Sequence, residues 1–254
     1  GREHAVIRKL KENKEIEKIY CAPGNGGISA DAECVDIKAT DKENMVKFAK
    51  ENAIDFCVVT PDDPLALGMV DEMEEAGIPC FGPKANAAII EASKAFSKDL
   101  MKKYGIPTAD YETFDNEKDA LHYIEEKNTF PIVIKADGLA LGKGVLICET
   151  LDDAKTALRE MMVEHVFGLS GNKVVVEEFM TGKEVSVLAF TDGNVVKPMI
   201  SSMDHKRAYD NDEGLNTGGM GTIAPSPYYT KEIAETCMET MLKEEHLKAA
   251  CTLV

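Results

Sequence analysis

No stretch of the 254 residues approaches the ~18 consecutive apolar positions of a membrane-spanning helix, so no such span is expected. The opening "GREHAVIRKLKENKEIEK" is too densely charged for a secretory leader. Basic residues are outnumbered, 29 Lys and Arg against 45 Asp and Glu, which leaves a formal net charge of −16. An excess of that sign argues against a nucleic acid or an anionic membrane surface as partner. Cysteine is present but never in a CxxC pair. The seven, at 21, 34, 57, 80, 148, 237 and 251, sit mostly in apolar runs such as "DFCVVT" and "GVLICE". Reduced, buried thiols and a cytoplasmic location are the expectation. His205 has no second histidine at metal-ligand spacing, so no zinc site is expected. What remains, 44% hydrophobic and 29% charged residues, suits a globular chain of two domains at ~100–200 residues each.

The first ninety or so residues alternate helix and strand signals. "HAVIRKLKEN" has helical spacing at Ala5, Val6 and Leu10, and "KIYCAPG" and "AECVDI" read as short strands. "KENMVKFAKEN" predicts an amphipathic helix with Met45, Val46, Phe48 and Ala49 on one side. "IDFCVVT" is a continuous apolar run, expected to be a parallel strand covered on both faces. "PLALGMVDEMEEAG" predicts one helix with Gly77 at its C-terminal end, followed by a strand in "IPCFG". This rhythm predicts a doubly wound parallel sheet. A helix comes first, with no strand to feed it, so a first strand is expected to be missing.

From Ala92 the rhythm changes. "SKAFSKDLMKKYGIP" predicts a helix between Ser93 and Gly105, "ADYETF" a strand, "DNEKDALHYIEEK" a helix, and "PIVIKADGLALGKGVLICET" a hairpin-like pair. A helix near Asp152 and successive antiparallel strands after "KVVV" complete an α+β pattern. The boundary is expected near "GPKANAAIIEASK", giving domains 1–90 and 91–254.

Four stretches could carry chemistry. In "IKADGLALGKGV" the glycines are wrongly spaced for a Walker loop and a strand follows, yet Gly138, Gly142, Lys143 and Gly144 at a hairpin tip could cover a polyphosphate. Lys135 ends an apolar strand, where it needs an anionic partner or a route to water. In "VVVEEFMTGKE", alternation lets only one of Glu177 and Glu178 point inward, and Glu178 is favoured as the functional one. Phe179 and Met180 would then border a purine pocket, with Glu184 at a distance suited to ribose hydroxyls. The stretch from Ser201 to Pro227 lacks apolar periodicity and is expected to be a functional loop. It holds Asp204, His205, Lys206 and Arg207, then "NTGGMG"; His205 fits a structural role as well as a catalytic one. Finally, "CAPGNGGIS" and "VTPDDPLALG" each follow a strand, at the sheet edge where open α/β sheets bind ligands. A helix starting after Pro64 would add its dipole there for a phosphate, while Asp62 and Asp63 suit hydroxyls or an amine.

Together "GREH", "APGN", "PDDPL", "FGP", "SKAFSKDLMKKYGIPTA", "IVIKADGLALGKGV", "VVEEFMTGKEVSV" and "DHKRAYDNDEGLNTGGMG" resemble the glycinamide ribonucleotide synthetase family of ATP-grasp ligases, over residues 1 to about 243. The resemblance implies an α/β chain: a Rossmann-like, parallel-sheet N-terminal domain for phosphoribosylamine, then an α+β ATP-grasp domain, incomplete at its C-terminus, with 113–182 as a lid-like part. It implies that ATP phosphorylates glycine and that the amine of 5-phosphoribosylamine attacks the glycyl phosphate. Lys98, Lys135, Gly138, Gly142, Lys143, Gly144, Glu178, Phe179, Met180 and Glu184 would hold ATP. Asp204, Lys206 and Arg207 would serve catalysis. Gly1, Arg2, Glu3, Pro23, Gly24, Asn25, Pro61, Asp62, Asn216, Thr217, Gly218, Gly219 and Met220 would contact the other substrates. The family's magnesium or manganese is held by a Glu-x-Asn pair that the sequence after Gly221 lacks, so a chain that is weak or inactive by itself is expected. The alternatives are a non-catalytic ATP-binding remnant and an ATP-grasp ligase for another carboxylate.

Overall fold

Short helices and very short strands build the first part of the chain. Helix α1 (Arg2–Leu10) has Glu3 in its first turn and Arg8 and Lys9 in its last, which suits its dipole. Strands β1 (Tyr20–Cys21) and β2 (Glu33–Cys34) pair in parallel. Helix α2 (Lys42–Glu51) is capped by the Asp41 side chain, and its Ala49 is buried. Strand β3 (Cys57–Val58) pairs in parallel with β4 (Cys80–Phe81). The parallel strands are present, but among the described residues no ladder joins the two pairs into one sheet. "IDFCVVT" is correspondingly less covered than its composition predicts: Val59 is buried, but Phe56 is 54% exposed.

The computed structural model describes residues 1–139, 144–191 and 195–241, and it forms two compact units, Gly1–Ala92 and Ser93–Val254. Between β3 and β4 the expected single helix is two. Helix α3 (Asp62–Ala66) starts at Asp62, not after Pro64, and α4 (Met69–Glu75) follows Gly68, whose φ of 82° no helix accommodates. Met69, Val70 and Met73 of α4 pack with Ala49, Val59 and Ile78 as the core of the first unit. The stretch "GPKANAAIIEASK", within which the two units meet at Ala92 and Ser93, carries a helix, α5 (Ala85–Ala92).

In the second unit, α6 (Lys94–Tyr104) begins at the Ser93 cap and ends at Gly105 in the left-handed region. A four-stranded antiparallel sheet follows, in the order β5 (Tyr111–Phe114), β8 (Val174–Glu178), β6 (Ile132–Ala136), β7 (Val145–Cys148). Helices α7 (Glu117–Lys127) and α8 (Leu151–Leu158) cover one face, where Ile124, Ile132, Ile134, Leu158, Val174 and Val176 are buried. Strand alternation turns Val133, Lys135, Val175 and Glu177 to the other face. There Ala95 of α6 packs against Tyr111 and Val175.

Two hairpins follow, β9 (Ala189–Thr191) with β10 (Val196–Pro198), and β11 (Met203–Tyr209) with β12 (Glu213–Ile223). Residues 203–223, expected as a loop, are thus an antiparallel pair with register shifts between His205 and Tyr209. The pairing comes from the backbone. Most of its residues are exposed or half-exposed, so no apolar alternation marks it. Helix α9 (Lys231–Met241) follows, and no helix among the described residues is long and apolar enough to cross a membrane.

Candidate active site

The sheet face that α6 partly covers carries a charge cluster that the apolar strands around it make conspicuous. Glu177, on the central strand β8, is only 4% exposed. Its Oε2 accepts from Lys135 Nζ at 2.9 Å and lies 3.1 Å from Lys98 Nζ. The ammonium of Lys98, itself buried on α6, also donates to Thr108 Oγ1 at 2.8 Å and to the Ala109 carbonyl at 3.3 Å. Lys135 therefore has the anionic partner its position demanded. The second oxygen of Glu177, Oε1, is buried and has no hydrogen-bond partner within the protein. A buried acceptor left open costs about 1–3 kcal/mol, which makes it a place for a ligand donor.

The inward carboxylate is Glu177, which the site expectations omitted. Glu178 is exposed and is held at the strand end, where its Oε1 accepts from the Asp110 N–H at 3.0 Å. Cross-strand register puts Glu177, Val133 and Ile147 in one row of this face, and Val175, Lys135 and Val145 in the next. Val145 and Ile147 are 39% and 40% exposed, and Phe179 and Met180 beyond the strand end are exposed too. The face thus offers an apolar floor beside two ammonium groups.

The hairpin between β6 and β7 is fastened at its base. Asp137 Oδ1 accepts from the Ala95 N–H at 2.7 Å and from Ser93 Oγ at 3.0 Å, and Lys94 Nζ donates to the Gly138 carbonyl at 2.7 Å. Gly138 must be glycine: a Cβ there would lie 2.2 Å from Ser170 Oγ. The Gly144 carbonyl accepts from the Ala136 N–H at 2.8 Å and closes the ladder. Gly142 and Lys143 lie outside the described residues. Nearby, burial, and then a hydrogen bond to Asp99, push the Tyr111 hydroxyl up to about 12.

A second polar group gathers on the β11–β12 hairpin. Lys206 Nζ donates to Glu184 Oε1 and lies 3.8 Å from Asp204 Oδ1. Thr217 Oγ1 donates to the Lys206 carbonyl at 2.8 Å and accepts from the Gly219 N–H at 3.0 Å. Arg207 turns to the backbone, donating to the Gly214 carbonyl at 2.6 Å, with Asn216 as its register partner on β12. Gly218, Gly219 and Met220 are exposed along the same strand. His205 Nδ1 lies 3.4 Å from the Gly221 carbonyl across the hairpin.

In the first unit, Gly1, Arg2 and Glu3 open α1, and Pro23, Gly24 and Asn25 form a turn after β1. Asn25 Oδ1 accepts from the N–H groups of Gly27 and Ile28 at 3.0 and 3.1 Å. His4, absent from the expected set, lies beside this turn with Nε2 at 2.8 Å from Asp31 Oδ2. Hydrogen bonds from Lys11 and then His4 hold the Asp31 carboxyl down at about 2. Pro61 precedes α3, and Asp62 stands in its first turn.

Comparison with known proteins adds to this geometry. Residues 1–91 match the family description "Phosphoribosylglycinamide synthetase, N domain", and residues 92–249 match "Phosphoribosylglycinamide synthetase, ATP-grasp (A) domain". The phosphoribosylamine–glycine ligase of Clostridium acetobutylicum is 49% identical over 243 residues, covering 96% of this chain and 58% of that protein. The enzyme of the same name from Listeria innocua is also 49% identical, with the same shares covered. The chain thus spans less than two thirds of these curated relatives. The crystal structure of phosphoribosylamine–glycine ligase from Thermotoga maritima superposes with a TM-score of 0.80 at 28% identity, covering all of this chain and 59% of that one. The biotin carboxylase domain of the Hydrogenobacter thermophilus 2-oxoglutarate carboxylase shares the fold, with a TM-score of 0.76 at 20% identity, 98% of this chain and 55% of that one being covered.

Proposed function

The chain belongs to the phosphoribosylglycinamide synthetase family, and from that premise we propose that it binds ATP on the sheet face that carries Glu177 and serves the ligation of glycine to 5-phosphoribosylamine. The observation that carries this reading is Glu177 with its two lysines and its one open oxygen. An exocyclic amine of a purine supplies the donor that Oε1 lacks, and the ring lies flat against Val133, Ile147 and Phe179. Lys98 and Lys135 stand beside it to take the phosphates, with Gly138 and Gly144 at the base of the hairpin over them. Gly142 and Lys143 complete that set. Glu178 and Met180 border the base, and Glu184 takes the ribose, releasing Lys206 as it does so.

A carboxylate is a poor acyl donor, and phosphorylation of glycine gives it a leaving group. The protein's work is then placement and charge neutralisation. Asp204, Lys206 and Arg207 face the glycine and the attacking amine. Asn216, Thr217, Gly218, Gly219 and Met220 offer backbone to the same substrates, with Thr217 fixing the strand to Lys206. Gly1–Glu3, Pro23–Asn25, Pro61 and Asp62 hold the phosphoribosyl group. Among the described residues no group of three His, Cys, Asp or Glu side chains is placed to hold a divalent cation. Lys98 and Lys135 offset part of the phosphate charge from their side of the site. A cytoplasmic location goes with this role.

The test is phosphate release from ATP that requires both glycine and phosphoribosylamine. Release with another carboxylate in place of glycine would overturn the substrate assignment. ATP binding without any such release would favour the second reading, a non-catalytic nucleotide binder.

A further inference from the structure

We propose that Cys21 and Cys34 form a redox-active dithiol that governs the turn from Pro23 to Asn25. The two are direct register partners on the parallel strands β1 and β2, so their side chains leave the same face. Paired strands lie about 4.8 Å apart, inside the ~4.4–6.8 Å window of Cα separations that a disulfide spans. Each strand is only two residues long, so little pairing resists the adjustment a bond requires. Both are free thiols, Cys34 exposed and Cys21 half-buried.

The Cys34 sulfur is also the floor of the turn. Its S–H donates to the Asn25 carbonyl at 3.6 Å. Gly24, at a φ of 75°, approaches so closely that a Cβ would lie 2.4 Å from Cys34 Sγ and 3.2 Å from the Cys21 carbonyl oxygen. Sulfur and turn therefore share one position, and drawing Cys34 Sγ toward Cys21 removes both the contact and the hydrogen bond. Burial, and then the neighbouring Cys34, push the Cys21 thiol up, which leaves the exposed Cys34 as the sulfur that meets an oxidant first. Cys57 and Cys80 are register partners on β3 and β4 in the same way, but both are half-buried and burial pushes Cys80 up to about 12. They provide an internal comparison.

The oxidant is a peroxide. Cys34 sulfur attacks the O–O bond to give a sulfenic acid and one water. Cys21 sulfur then attacks Cys34 sulfur, and the second water leaves. Two thiols and one hydrogen peroxide become one disulfide and two waters, a two-electron oxidation of sulfur. The consequence for substrate, that an oxidised chain loses its phosphoribosyl grip, rests on the function proposed above. The disulfide and the release of the turn do not.

The 254-residue chain is treated with hydrogen peroxide, remaining thiols are blocked with N-ethylmaleimide, and peptides are mapped by mass spectrometry. The expected result is a Cys21–Cys34 linked peptide appearing before any Cys57–Cys80 link, reversed by dithiothreitol and absent in Cys34→Ser and in Cys21→Ser. Amide hydrogen exchange at Gly24–Ile28 should rise at least tenfold on oxidation. Cys34 found only as sulfinic acid, links between chains, prior linking of Cys57 to Cys80, or unchanged exchange over Gly24–Ile28 would each overturn the proposal. Binding of ribose 5-phosphate to the reduced chain is a separate arm. Its absence would sink the assignment of the turn to a phosphoribosyl group and leave the dithiol standing.

Discussion

At the residue scale the decisive position is Glu177. The sequence shows two glutamates after three valines, and alternation requires one to face in, but nothing local says which. The choice is made by distant partners: Lys98 on α6 and Lys135 on β6 converge on one oxygen of Glu177. Removing a buried carboxylate leaves its cation uncompensated, at a typical cost of 3–5 kcal/mol. Lys98 keeps Thr108 and Ala109 as acceptors, so Glu177→Ala should lose stability near the lower end, about 3 kcal/mol by urea denaturation. Glu178→Gln loses only charge at an exposed bond to the Asp110 N–H and should cost under about 1 kcal/mol. If the two costs were reversed, the inward assignment would be wrong. Asp31 gives a pH signature of its own. Its folded pKa, about 2, lies below the ordinary 3.8 of an aspartate, so its contribution to stability is present above pH 3.8 and is lost as pH falls toward 2. Asp31→Asn should flatten the acid limb of a stability–pH profile in that window and leave the neutral range unaltered in slope.

At the scale of elements, legibility followed burial. The β6–β7 hairpin and α6 were readable because one face of each is covered and the caps Ser93 and Gly105 have distinct chemistry. The β11–β12 hairpin was not readable. Periodicity records which side chains are buried, and strands exposed along their length pair through backbone without leaving that record. Gly68 was missed for a different reason: a glycine inside a helical pattern is tolerated, so the pattern continues across it. Its φ of 82° decides the matter and fixes the sign of a test. In a continuous helix Gly68→Ala would add about 1 kcal/mol of stability. At a left-handed junction it should instead remove about 1–2 kcal/mol, read from the denaturation midpoint.

At the scale of the whole molecule, the two halves were visible as a change of rhythm from Ala92, while the helix α5 just before it was not. Its four alanines in eight residues favour helix by propensity, but its apolar positions follow no clear single-face spacing. Each unit has its own buried cluster, around Met69, Val70 and Met73 in the first and around Ile134, Leu158 and Val174 in the second. A unit with its own core unfolds as its own cooperative step. Calorimetry should therefore show two transitions, and the proposed sites assign a ligand to each. A non-hydrolysable ATP analogue at a hundred times its dissociation constant stabilises what it binds by about 2.7 kcal/mol. It should move only the transition that Ile134→Ala lowers. Ribose 5-phosphate should move only the transition that Met73→Ala lowers. One joint transition, or an analogue that shifts both, would mean that the units share their stability and that nucleotide and phosphoribosyl group are not divided between them.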